Sequence, residues 1–232
     1  MDRRNFNRLA PALGAWSASF LIATSAQAQA APQVKFATSA GDFVVEVYPD
    51  KAPKTVENFL QYVKDKHYDG TIFHRVIESF MVQGGGFDAK FSEKKGRAPV
   101  AHEGREALEK GGARNVVGTL AMARTNDPNS ATAQFFINVK DNAFLDPALI
   151  PPGDPVPKFE HQGRVYDNTP RANLVNAPQL FGYTVFGKVI SGMEVVNKIK
   201  ATPTGGRRPV PDRRSQNTHS YQLCNPGEIN KS

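Results

Sequence analysis

An arginine in the middle of an apolar strand constrains this chain more than any other feature. Phe73-His74-Arg75-Val76-Ile77 is followed, after Glu78-Ser79, by Phe80-Met81-Val82-Gln83-Gly84-Gly85-Gly86. The stretch reads as two short apolar strands carrying one guanidinium, one carboxamide and a run of glycines. Burying a charge among Phe73, Val76, Ile77, Phe80 and Met81 is costly unless the charge is used. Arg75 is therefore expected to face a bound ligand from the wall of a small barrel.

The chain around it is patterned to build such a wall. Val34–Ser39 and Phe43–Tyr48 flank Ala40-Gly41-Asp42, which signals a β-hairpin. Pro53 suits the first turn of a helix, and Val56, Phe59, Leu60 and Val63 then fall on one helical stripe. Strands are expected over Thr71–Val76, Ser79–Gln83, Val116–Ala123, Ala133–Val139 and Phe181–Ile190. A polar loop spans Gly84–Gly96, and Gly104–Arg114 suits either a short helix or a loop. A second helix is expected over Gly192–Lys200, with Val195, Val196 and Ile199 inward. Ser220–Leu223 could pair back to the first strand. Pro147–Gln179 interrupts the rhythm with five prolines between 147 and 157 and no periodicity. About eight short strands and two helices predict an all-β-dominated fold, a closed eight-stranded antiparallel β-barrel capped by two α-helices. One domain over 31–200 is expected, with the Pro-rich insertion at 147–179 and a basic tail over 201–232.

Charge sharpens this by exclusion. The formal charge of +7 is concentrated at the ends: residues 1–30 contribute +2 and residues 201–232 contribute +3, which leaves +2 on the body. A nucleic-acid-binding domain would carry its basic residues on the folded body, so no nucleic-acid partner is expected. The single cysteine, Cys224, excludes an intramolecular disulfide. Met1–Ala30 reads as a cleavable export signal. Arg3, Arg4 and Arg8 precede an uncharged stretch, and Ala26-Gln27-Ala28 and Ala28-Gln29-Ala30 fit the cleavage pattern. Arg3-Arg4-Asn5-Phe6 also fits a twin-arginine motif, so either export route is open. The mature chain is expected in the periplasm, with no membrane association after signal removal.

The usual catalytic signatures are missing. The sequence has no G-x-S-x-G elbow and no P-loop. Gly84-Gly85-Gly86 loosely fits a dinucleotide fingerprint, but no helix opens there. Histidines 67, 74, 102, 161 and 219 show no metal-ligand spacing. His74, inside an apolar strand, reads as a hydrogen-bonded core residue. Arg75, Gln83, Gln134 and the aromatics remain as the source of any chemistry.

Those residues fall in blocks. Phe73–Ile77 with Phe80–Gly85 resembles the cyclophilin family of peptidyl-prolyl cis–trans isomerases. Leu120–Ala123, Ala133–Ile137, Phe144–Asp146 and Tyr183–Val189 match its later blocks in order. The chain looks most like the exported bacterial branch. The resemblance implies that Arg75 is catalytic and that Phe80, Met81, Phe136 and Leu145 receive a proline ring. It implies that Gln83 and Gln134 orient Arg75 and the substrate backbone, and that Ala123 and Arg124 lie along the peptide. Phe144 stands where many members carry tryptophan, and Tyr183 where many carry histidine. That tryptophan is the family's usual partner for cyclosporin, so weak cyclosporin binding is expected. The implied partners are proline-containing unfolded or partly folded polypeptides; no metal or cofactor is implied, and the chain is expected to act as a monomer. A peptide-binding chaperone using the same groove without turnover is the alternative. The 147–179 insertion either tunes substrate choice or is passive, and the passive reading is preferred.

Overall fold

Two strands, β1 (Gln33–Thr38) and β2 (Gly41–Val47), open the described part of the chain as the expected hairpin. Gly41 closes it at φ +126°, a conformation that disfavours any side chain. The computed structural model describes residues 31–202 and the backbone of 218–224. The export-signal reading of 1–30 and most of the basic tail lie outside those residues. After β2 come helix α1 (Pro53–Lys64), β3 (Thr71–Ile72), β4 (Arg75–Ile77), β5 (Met81–Gly84) and α2 (Gly104–Glu109). Strands β6 (Thr119–Met122) and β7 (Phe135–Asn138) follow, then a 3₁₀ turn over Ala143–Leu145. The insertion contributes β8 (Phe159–His161), β9 (Arg164–Tyr166) and α3 (Arg171–Val175); β10 (Val185–Ser191), α4 (Met193–Lys200) and β11 (Thr218–Cys224) complete the order.

The main sheet is antiparallel with hydrogen-bonded order β3-β11-β1-β2-β10-β6-β7-β5-β4. Its seven-strand body, β1 to β4 in that order, is extended beyond β1 by β11 and the two-residue β3. The two edge strands, β3 and β4, are separated along the chain only by Phe73 and His74. A sheet whose opposite edges are that close in sequence must curl. Among the described residues no pairing joins those edges, so the expected closed eight-stranded barrel is corrected to a curled sheet. The single strand expected over Thr71–Val76 breaks at Phe73, whose fully buried ring enters the core. The two expected helices are present as α1 and α4, and the described residues hold two more: α2, in the segment read as a short helix or a loop, and α3. The pairing of the tail strand with the first strand is present, Phe36 opposite Tyr221.

Aromatic rings fill the hollow of the curl. Phe36 stacks on Phe43 with centroids 4.6 Å apart, and Phe135 meets Phe36 edge-on at 5.6 Å. Phe59 of α1 and Phe186 of β10 join them at 5.1 Å, which seats α1 over the hollow. Helix α1 takes an unusual cap. Ala52 at its N-cap offers no side-chain acceptor, and Pro53 has no N–H to satisfy. The buried Glu103 carboxylate instead accepts from Lys54 N at 3.1 Å, Thr55 N at 2.8 Å and Thr55 Oγ1 at 2.8 Å.

The insertion is ordered although its sequence shows no period. Gln162 and Gly163, at φ +52° and +75°, make the two-residue turn of the β8–β9 hairpin. Ala148, Ile150, Val156, Tyr166, Leu174 and Leu180 form a small apolar core of their own.

Candidate functional site

Register places the arginine. Arg75 pairs with Gln83, Gln83 with Phe136, and Phe136 with Ala121, so four strands contribute one row of side chains. Directly paired residues share a face of a sheet, and the next residues along point the other way. Val76, Val82, Ile137 and Leu120 accordingly turn into the aromatic core. On the opposite face Met81, Ala121, Phe136, Leu145 and Val185 make a second apolar cluster. Strands β6 and β7 are therefore buried on both faces, which explains their near-continuous apolar sequence.

That second cluster carries a small pocket of about 80 Å³. Phe80, Met81, Phe136 and Leu145 form its apolar part; Arg75, Gln83, Ala123, Arg124 and Tyr183 complete the lining. Whole small-molecule sites run to about 300–1,000 Å³. A pocket this small takes one ring-sized anchor of a longer ligand. Arg75 Nη1 approaches Gln83 Oε1 at 3.4 Å, and Gln83 Nε2 donates to Gln134 Oε1 at 2.9 Å. Gln134 thus stands behind Gln83 and lines the neighbouring cleft rather than the pocket. A Cβ on Gly86 would meet the Gln134 side chain at 2.5 Å, so this glycine leaves room for the relay. Among the described residues none of the ion pairs involves Arg75.

The remaining walls are held from outside. Tyr183 meets Phe136 edge-on at 5.5 Å, and the Arg124 guanidinium lies 4.6 Å over its ring. Arg124 is anchored by Nε and Nη2 donating to Gly182 O at 3.1 and 2.8 Å. His102 shares that carbonyl. Gly104 N donates to His102 Nδ1 at 3.2 Å, so the ring proton sits on Nε2, 3.3 Å from Gly182 O. Burial and the Arg124 charge hold His102 down at about 4, so it is neutral at pH 7. On the other side Asn142 Nδ2 donates to Phe80 O at 3.0 Å and to Asn138 Oδ1 at 2.7 Å. It fixes the 3₁₀ turn that presents Leu145. Phe144 does not line the pocket. It is 57% exposed and stacks on Phe80 with centroids 5.6 Å apart.

Sequence reasoning missed His102, Asn142 and Gly182. Gly182 had a readable signal only with the contact known: at φ +60°, its Cβ would sit 2.4 Å from Pro147 N. The close approach lets Tyr183 N donate to Leu145 O at 2.9 Å, bringing both ends of the insertion to the pocket.

The described residues thus form a curled antiparallel sheet with an arginine beside a ring-sized apolar pocket. Comparison with known proteins identifies the family. Residues 33–219 match the family model described as cyclophilin type peptidyl-prolyl cis-trans isomerase/CLD, and the chain belongs to that family. A relative from Streptomyces antibioticus, peptidyl-prolyl cis-trans isomerase cyp18, is 48% identical over 175 residues, 75% of this chain and 87% of that one. Peptidyl-prolyl cis-trans isomerase B of Escherichia coli K12 is 44% identical over 172 residues, 74% of this chain and 86% of its own length. A crystal structure of a Cryptosporidium parvum cyclophilin type isomerase, determined in the presence of the dipeptide ala-pro, shares the fold. Its TM-score is 0.57 at 23% identity, covering 83% of this chain and 99% of that one.

Proposed function

We propose that this chain catalyses cis–trans isomerisation of X–Pro bonds, with Arg75 as the catalytic residue and the pocket of Phe80, Met81, Phe136 and Leu145 as the seat of the proline ring. The uncatalysed barrier is about 18–20 kcal/mol because rotation breaks amide resonance. The planar amide is more charge-separated than the twisted one, so an apolar pocket favours the twisted form. As the bond twists, the prolyl nitrogen recovers its lone pair and becomes an acceptor. A guanidinium donating to it binds the transition state more strongly than either ground state. The carrying observation is the Arg75 guanidinium at the rim of the ring-sized pocket, turned toward the Gln83–Gln134 relay and outside any ion pair among the described residues.

Gln83 and Gln134 orient Arg75 and the substrate backbone, and Ala123 and Arg124 form the edge along which the peptide lies. The substrates are proline-containing polypeptides, a reading supported by the ala-pro dipeptide named with the C. parvum relative. The signal-like residues 1–30 support a periplasmic role in folding exported proteins, where X–Pro isomerisation can limit the rate. A binding module without turnover would have no use for a donor aimed at a twisted amide. Exchange between the cis and trans resonances of a prolyl peptide tests the proposal. Exchange accelerated by the mature chain and lost in Arg75→Ala supports it; binding without acceleration contradicts it.

A further inference from the structure

We propose that the insertion is the wall of a second substrate cleft, which selects a large apolar side chain flanking the proline. A cleft of about 630 Å³ lies between the 3₁₀ turn and the β8–β9 hairpin, with Phe144, Leu149, Phe159, His161, Gln162 and Arg114 around it. The inference rests on the isomerase reading of the adjoining pocket.

Continuity argues that the occupant is the substrate itself. Phe144 stacks on Phe80, so one aromatic pair divides the proline pocket from this cleft. The pocket holds a single ring, so the polypeptide on either side of the proline must run out of it along the surface. On one side it meets the polar cleft of Gln83, Gln134, Thr125 and Ser130. On the other it meets this cleft.

The cleft is preformed and chemically selective. Gln162 Nε2 donates to Phe144 O at 2.7 Å, which ties the hairpin tip to the turn. Ala148 N donates to Leu180 O at 3.0 Å, which closes the neck of the insertion beside Leu145 and Tyr183. A wall fixed before binding loses little ordering entropy when it is filled. Phe144 and Leu149, which both line it, are 57% and 44% exposed. Arg114 is neutralised by Asp146 at 3.1 Å, and burial holds His161 below its ordinary value. Glu160 also lines the cleft, but its carboxylate is exposed to water, so discrimination comes from apolar contact through Leu149 and the rings of Phe144 and His161.

The test compares kcat/KM on prolyl peptides identical except for Phe or Ser, placed in turn two residues before and two residues after the proline. At one flank the unsubstituted mature chain should prefer Phe by about tenfold, the lower end of what apolar pockets achieve. Leu149→Ala and His161→Ala should each shrink that preference while leaving the other flank's ratio as it was. Leu149 is exposed and His161 half-buried, and neither belongs to the insertion's own apolar core, which is left intact. Equal rates for Phe and Ser at both flanks, or a preference unmoved by either substitution, would overturn the proposal. So would self-association that Leu149→Ala abolishes, because the cleft would then seat a second copy. Absence of catalysis on every peptide would bring down the isomerase reading with it; catalysis without preference brings down the cleft alone.

Discussion

Three features surround Arg75: a carboxamide at 3.4 Å, no ion pair among the described residues, and an apolar pocket against it. A guanidinium stays charged and holds its partners in a rigid planar fork, whereas a lysine ammonium is a flexible point charge that loses its proton more readily on burial. Two other residues set measurable properties. Phe144 offers a ring but no N–H, whereas the tryptophan common in the family supplies an indole donor. Cyclosporin should therefore inhibit weakly, and Phe144→Trp should tighten it; nanomolar inhibition of the unsubstituted chain would contradict this. His102 lies at about 4 when folded and near 6.5 when unfolded. Between those values the unfolded state binds more protons, so stability is full above about 6.5 and falls as pH drops towards 4. Arg124 and Arg105 resist protonation in the fold, while Glu106 and the Gly182 carbonyl favour it. The loss amounts to about 3 kcal/mol. Urea unfolding at pH 7 and pH 4.5 should show a smaller pH effect in His102→Gln; an unchanged effect would contradict the assignment.

Elements with a clean period were legible, and elements buried on both faces or very short were not. The stripe of Val56, Phe59 and Val63 defined α1, and Val195, Val196 and Ile199 defined α4, because each helix has one wet face. Thr71–Val76 concealed its break, because Phe73 and Val76 are both core residues and give no sign of a turn. The hairpin and helix of the insertion, only three to five residues per element, are too short to show a period. The α1 cap was equally hidden, since its acceptor is 48 residues from Thr55. Three donors converge on the Glu103 carboxylate at a helix N-terminus, where negative charge is favoured. Glu103→Ala should lower unfolding free energy by about 2–3 kcal/mol, with a smaller loss in Glu103→Gln. A loss under about 0.5 kcal/mol in chemical denaturation would mean that the cap carries little, as at an ordinary surface site.

At the scale of the whole molecule, the curled sheet gives the chain two apolar faces. The inner face holds the aromatic core and the outer one, through the row Arg75, Gln83, Phe136 and Ala121, holds the pocket. Nine of the eleven candidate residues meet in that pocket, while Gln134 stands behind it and Phe144 beside it. The set was legible because the family's blocks carry it in order; His102 and Asn142 were not, because their roles exist only through contacts distant in sequence. Curling without closure was also unreadable, since alternation in the strands is the same for both. The most direct test of the central claim is steady-state kinetics of the mature chain and Arg75→Ala on one prolyl peptide. A donor that acts only on the twisted amide predicts that kcat and kcat/KM fall together by on the order of a hundredfold or more, with KM little changed. Equal rates in the two proteins, or a raised KM at unchanged kcat, would contradict it.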